Sequence, residues 1–102
     1  MDQNEFLHKI KLAVLSVDDS AELILFGSRA RGDHKKDSDW DILVLTDKED
    51  NYALLSNITD KVYNIELEYE QPVSTIIVDR PRWDKMSITG FYENVKRDGI
   101  AL

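Results

Sequence analysis

The 102-residue chain contains no cysteine, which excludes disulfides, reactive thiolates and zinc–thiolate centres. A cysteine-free composition fits a reducing compartment, and a cytoplasmic location is expected. Positive charge is scarce too. Thirteen Lys and Arg stand against twenty Asp and Glu, a net charge of −7. That balance argues against a nucleic-acid partner, which would call for a basic face, and against anionic membrane surfaces. No apolar run approaches the roughly 20 residues needed to span a bilayer. The opening MDQNEFLHK lacks the basic-then-apolar order of a secretion signal. Repeats and low-complexity segments are absent as well.

What the chain does have is 42% hydrophobic residues, enough for a modest core in one domain and too few residues for a second. Residues 4–18 are expected to be a helix, because Phe6, Ile10, Ala13 or Val14, and Val17 recur on one face. Asp2 or Asn4 suits its cap. The runs 21–26 and 41–46 are short and apolar throughout, which suits strands buried on both faces. Thr46-Asp47-Lys48-Glu49 matches a capping box, so a helix is expected from there to about residue 68, burying Leu55, Ile58, Val62, Ile65 and Tyr69. Residues 73–78 form a β-branched third strand, Arg80-Pro81 a turn, and residues 89–98 a last helix. Lys96, Arg97 and Gly99 mark the end of that helix. The order helix, strand, strand, helix, strand, helix predicts an α/β (α+β) fold, a small sheet flanked by helices.

The chemistry concentrates in LILFGSRARGDHKKDSDWDILVLT, residues 23–46. Asp39 and Asp41 open the second strand, so their side chains share a face with Cα atoms about 6.5–7 Å apart. Two carboxylates at that spacing suit a hard cation such as Mg²⁺, which retains waters and takes phosphate oxygens. Trp40 between them must face the core. Gly27 closes the first strand and lets the backbone approach a phosphate, while Ser28-Arg29-Ala30-Arg31 can form a helical turn whose N–H groups and Ser28 hydroxyl favour an anion. Phosphate cradle and paired acids together describe a nucleoside-triphosphate site. Arg29 and Arg31 serve either as compensating charge for the phosphates or as surface partners of Asp33, Asp37 or Asp39. Ser38 either ends the loop or orients Asp39. His34, Lys35 and Lys36 belong to a solvated loop. Trp83, Tyr63, Tyr69 and Tyr92 read as packing residues.

Gly27-Ser28, ten residues, then Asp39-x-Asp41 resembles the signature of the DNA polymerase β-like nucleotidyltransferase superfamily. The string GSRARG…SDWDILV is similar to its minimal nucleotidyltransferase (MNT) branch. The resemblance implies a single minimal nucleotidyltransferase domain over 1–102, with a small mixed sheet between helices. It implies a Mg²⁺-dependent transfer of a nucleoside monophosphate, AMP from ATP or the equivalent from another NTP, to a hydroxyl. Asp39 and Asp41 match the family's metal-binding and catalytic acids; Gly27 and Ser28 match its triphosphate turn, with Arg29 and Ser38 beside them. The resemblance further implies an antitoxin whose partner is a helical ribonuclease toxin of the HEPN type. Active members usually carry a third acid on the strand after the long helix, completing a two-metal site; here that strand reads Val73-Ser74-Thr75-Ile76-Ile77-Val78. Glu68 and Glu70 just precede it and are the acids placed to substitute; Asp79 lies at the far end. The alternative is therefore a catalytically weak module that binds nucleotide or docks on a partner. The C-terminal aromatic residues leave room for a homodimer.

Overall fold

A computed structural model describes residues 1–49 and 51–102. Helix α1 spans Gln3–Val17, strand β1 Glu22–Phe26, the four-residue helix α2 Ser28–Arg31, strand β2 Trp40–Thr46 and helix α3 Tyr52–Tyr69. Strand β3 follows at Val73–Asp79, then helix α4 at Arg80–Lys85, a 3₁₀ turn at Met86–Ile88, helix α5 at Gly90–Asp98 and strand β4 at Ile100–Ala101. The sheet order is β3-β2-β1-β4. β1 runs antiparallel to β2 and β4, whereas β2 and β3 are parallel. Parallel neighbours need a crossover, and α3 supplies it.

Side chains alternate across β2 and thereby define the two layers. Trp40, Ile42 and Val44 join Leu23, Leu25, Phe6, Ile10, Val14, Ile58 and Val62 in the core beneath α1 and α3. Leu43 and Leu45 point the other way, against Val78, Trp83 and Val95 beneath α4 and α5. Burial on both faces explains why residues 41–46 read as an unbroken apolar run. The expected α1 face is the one buried, and Asp2 is its cap, accepting from the Asn4 and Glu5 amides.

Two expectations fail for identifiable reasons. The capping box at 46–49 does not start a helix. Thr46 is instead the last residue of β2, fully buried, and its hydroxyl donates to the buried Asp18 carboxylate. The cap is Asn51, whose Oδ1 accepts from the Leu54 amide 2.8 Å away. Residue 50, inside the expected helix, lies outside the described residues. With the later start, Leu54 rather than Leu55 opens the buried face, followed by Ile58 and Val62, with Ile65 and Tyr69 partly buried. Arg80-Pro81 begins a short helix rather than a simple turn. Asp79 caps it, and the missing proline N–H costs nothing in the first helical turn.

Candidate active site

The register of the sheet sets the site. Phe26 pairs with Asp41 across β1 and β2, so the end of β1 delivers Gly27 beside the Asp41 side chain. Gly27 adopts φ 75°, ψ −159°, a region open essentially to glycine alone. A β-carbon there would overlap Asp41 Oδ2 and lie 3.1 Å from its Cγ. The absent side chain is therefore the space that the Asp41 carboxylate occupies. The Ala30 and Arg31 amides donate to the Gly27 carbonyl at 3.1 Å, closing the turn of α2. The Ser28 and Arg29 amides come earlier in that turn and have no intrahelical acceptor.

Asp41 shares its face with Leu43 and Leu45, opposite Trp40, as the alternation requires. It is half-buried, while Asp39 is exposed. Burial, and then the charge of Asp39, push the Asp41 carboxyl above the ordinary carboxylate range; Arg31 opposes them. Neither acid accepts a hydrogen bond from another described residue. Two close carboxylates with no donor between them form an electrostatic fault that a cation repairs, so this donor set fits a divalent ion.

The approach to Asp39 is fixed from behind. Arg29 lays its guanidinium over the Trp40 ring, 4.4 Å from the centroid, and donates to the Ser38 carbonyl at 3.0 and 3.3 Å and to the Lys36 carbonyl at 3.1 Å. Its Nε and Nη2 donors are thus taken by the loop. Ser38 closes the same loop, its hydroxyl accepting from the Lys35 amide at 2.8 Å. Trp40 is buried against Phe6, and its indole N–H donates to Gln71 Oε1 at 3.0 Å. Arg29 and Ser38 thus meet in the loop that leads into Asp39. The stacked arginine left no mark in the sequence, because only the fold brings it over the indole. Arg31, by contrast, faces the site region, bonded to Asp33 at 3.1 Å and near Asp98.

Neither acid preceding β3 joins the pair as a visible ligand. Glu68 is engaged with Lys9 at 3.2 Å, on the α1–α3 side of the sheet, opposite Asp41. Glu70 ends α3 in a left-handed conformation, φ 54°. The residue beside Asp41 on β3 is Ser74. Among the described residues no group of three or more His, Cys, Asp or Glu side chains converges on a metal position. A separate cavity of about 390 Å³, lined by Glu22, Leu45, Arg80, Trp83 and Lys96, holds none of these residues.

A mixed sheet that sets a glycine turn against paired acids at the mouth of adjacent strands defines a nucleotidyl-transferring class of protein. Residues 7–100 match the model of the nucleotidyltransferase domain, and the chain belongs to that family. It is a nucleotidyltransferase, of a family that works with a nucleoside triphosphate and a divalent metal. Two proteins of Methanocaldococcus jannaschii, each named "Putative protein adenylyltransferase", are similar to it. One is 32% identical over 79% of this chain and 76% of its own length. The other is 29% identical over 92% of this chain and 90% of its own. Two solved structures share the fold at TM-score 0.59 and 16% identity, covering 99% of this chain and 72% of theirs. One is a toxin–antitoxin MntA–HpeT mutant and the other a toxin–antitoxin with AMP-PNP. No described helix is long and apolar enough to cross a membrane.

Proposed function

We propose that the chain transfers AMP from ATP to a hydroxyl group on a protein partner, with Mg²⁺ held by Asp39 and Asp41. The observation that carries this reading is the fit of the Asp41 carboxylate into the space left by the missing Gly27 side chain. That fit joins a backbone anion turn to an acid pair on one surface. Gly27 and Ser28 receive the triphosphate, with their neighbouring amides and the Ser28 hydroxyl as donors. Arg31 stands close enough to lower the Asp41 carboxyl and offers positive charge beside the phosphates. Arg29 and Ser38 hold the loop that presents Asp39. Bound Mg²⁺ would supply neutralisation of phosphate charge and alignment of the α-phosphorus. The acceptor oxygen bonds to that phosphorus as its bond to the bridging oxygen breaks; pyrophosphate leaves, and the hydroxyl proton passes to solvent. No covalent link to the chain is formed.

Adenylyl transfer to protein is favoured by the two relatives, each named for that activity, and a toxin as the acceptor protein by the two toxin–antitoxin fold neighbours. A helical ribonuclease of the HEPN type is the partner that the family resemblance implies. A second reading, a module that binds nucleotide with little turnover, rests on Ser74 beside Asp41. The deciding experiment incubates labelled ATP and Mg²⁺ with the chain and a co-expressed helical partner. Label on the partner that vanishes in Asp39→Asn and Asp41→Asn sustains the transferase. Mg²⁺-dependent nucleotide binding without label favours the module, and no binding at all defeats both.

A further inference from the structure

The outer edge of the sheet carries a second surface. In a parallel pair, one residue donates to the carbonyl before its partner and accepts from the amide after it. The Trp40 amide donates to the Pro72 carbonyl at 2.9 Å, and Trp40 pairs with Val73. Residues 72, 74, 76 and 78 therefore direct their backbone groups to β2, and residues 73, 75, 77 and 79 direct theirs outward. The Val73 amide confirms the direction, since it donates to the Glu66 side chain reaching over from α3. Thr75 and Ile77 lie in the middle of an edge that no strand covers among the described residues, each with an outward N–H and C=O.

Such edges are usually blunted by lysine, proline or a bulge. Residues 73–78, VSTIIV, carry none of these. The flanks are apolar. Ile76 is 38% exposed, and on α3 Tyr63, one turn before Glu66, is 55% exposed. A shallow groove of about 310 Å³ along Ile77, Val78, Arg82, Lys85 and Met86 continues the surface onto α4.

We propose that β3 pairs antiparallel with β3 of a second copy of this chain, about a two-fold axis at Ile76, giving a continuous eight-stranded sheet. The register is self-complementary. With Ile76 opposite its own copy, Thr75 faces Ile77, and both residues point their backbone groups outward. Each such pair exchanges two hydrogen bonds, so the axis generates four. Glu66 already satisfies the Val73 amide, which limits the pairing to this central stretch. Charge is complementary under the same axis. The end of one copy that carries Glu66 and Glu70 approaches the end of the other that carries Arg82 and Lys85 beside Asp79, and the Ile76 side chains meet at the centre.

The test is sedimentation velocity of the full chain across a concentration series, joined to amide hydrogen exchange. The expected result is a species of twice the chain mass, with the Thr75 and Ile77 amides protected in it and unprotected on dilution. Ile76→Lys, which opposes two charges at the axis, should abolish the dimer. Thr75→Pro should do the same, because it deletes an amide that β2 does not use. Circular dichroism matching the parent verifies that each variant is folded. A chain that stays monomeric at high concentration overturns the proposal. So does a dimer that persists in both folded variants, or one that leaves the Thr75 and Ile77 amides unprotected.

Discussion

Replacing Gly27 with alanine perturbs the site through one atom. Two costs arise. The backbone at φ 75°, ψ −159° is tolerated by glycine and costs any other residue about 1–3 kcal/mol. The added β-carbon also overlaps the Asp41 carboxylate, which must rotate away from the turn. Strain of about 2–3 kcal/mol lowers the melting temperature of a domain this size by roughly 10–20 °C. Displacement of Asp41 should also remove Mg²⁺-dependent nucleotide binding, read by titration calorimetry below the new Tm. Gly32 separates the two effects. It too has positive φ, 86°, but nothing lies within 4 Å of a β-carbon placed there. Gly32→Ala should therefore lose stability, by about 1–2 kcal/mol, and keep binding. If Gly27→Ala and Gly32→Ala bind ATP and Mg²⁺ alike, the contact between the turn and Asp41 does not organise the site.

The acid pair predicts a pH effect. Asp41 holds its proton more tightly folded than unfolded, so that contribution to stability is complete below about pH 3.9 and is lost as pH rises through the raised folded value. Asp41→Asn should flatten that slope and raise the metal-free Tm at pH 7 in a fluorimetric melt; an unchanged or lower Tm contradicts the electrostatic picture. Asp18 behaves in the opposite sense. Burial pushes its carboxyl up, but hydrogen bonds from Ser20 and Thr46 and the Lys48 charge outweigh burial and hold it below the ordinary range. Its stabilisation is present above about pH 3.9 and is lost as pH falls through the depressed folded value. Thr46→Val, which deletes one donor, should cost about 1–3 kcal/mol in urea unfolding at pH 7. Ser74→Asp should raise bound Mn²⁺ from one to two per chain when nucleotide is present, counted by electron paramagnetic resonance; a count still at one would place the missing ligand elsewhere.

Periodicity and local chemistry carried most of the architecture. The spacing of Phe6, Ile10 and Val14 marked α1, and the apolar density of residues 41–46 marked a strand covered on both faces. Lys96, Arg97 and Gly99 marked the end of α5. Trp40 and Trp83 are buried, as expected of packing residues. What failed was local signal overruled by tertiary contact. Thr46 has the chemistry of a cap, but Asp18, far away in sequence, takes its hydroxyl. Strand β4 is two residues long, too short for any pattern, and exists because β1 has a free edge beside Gly99. At the candidate site, the glycine turn and the acids were visible as a motif. The engagement of Arg29 with the Ser38 carbonyl, and of Glu68 with Lys9, depends on three-dimensional neighbours that no spacing reveals.

The indole between the two acids has an optical consequence. Trp40 lies one residue from each carboxylate, under a guanidinium and against a tilted phenyl ring. Charge arriving at Asp39 and Asp41 alters the field across that ring, so its emission should respond to occupancy. The other tryptophan, Trp83, sits in the opposite layer among Phe91 and Tyr92. With Trp83 replaced by phenylalanine, the chain would become its own fluorescent gauge of what the acids hold, without dye or label.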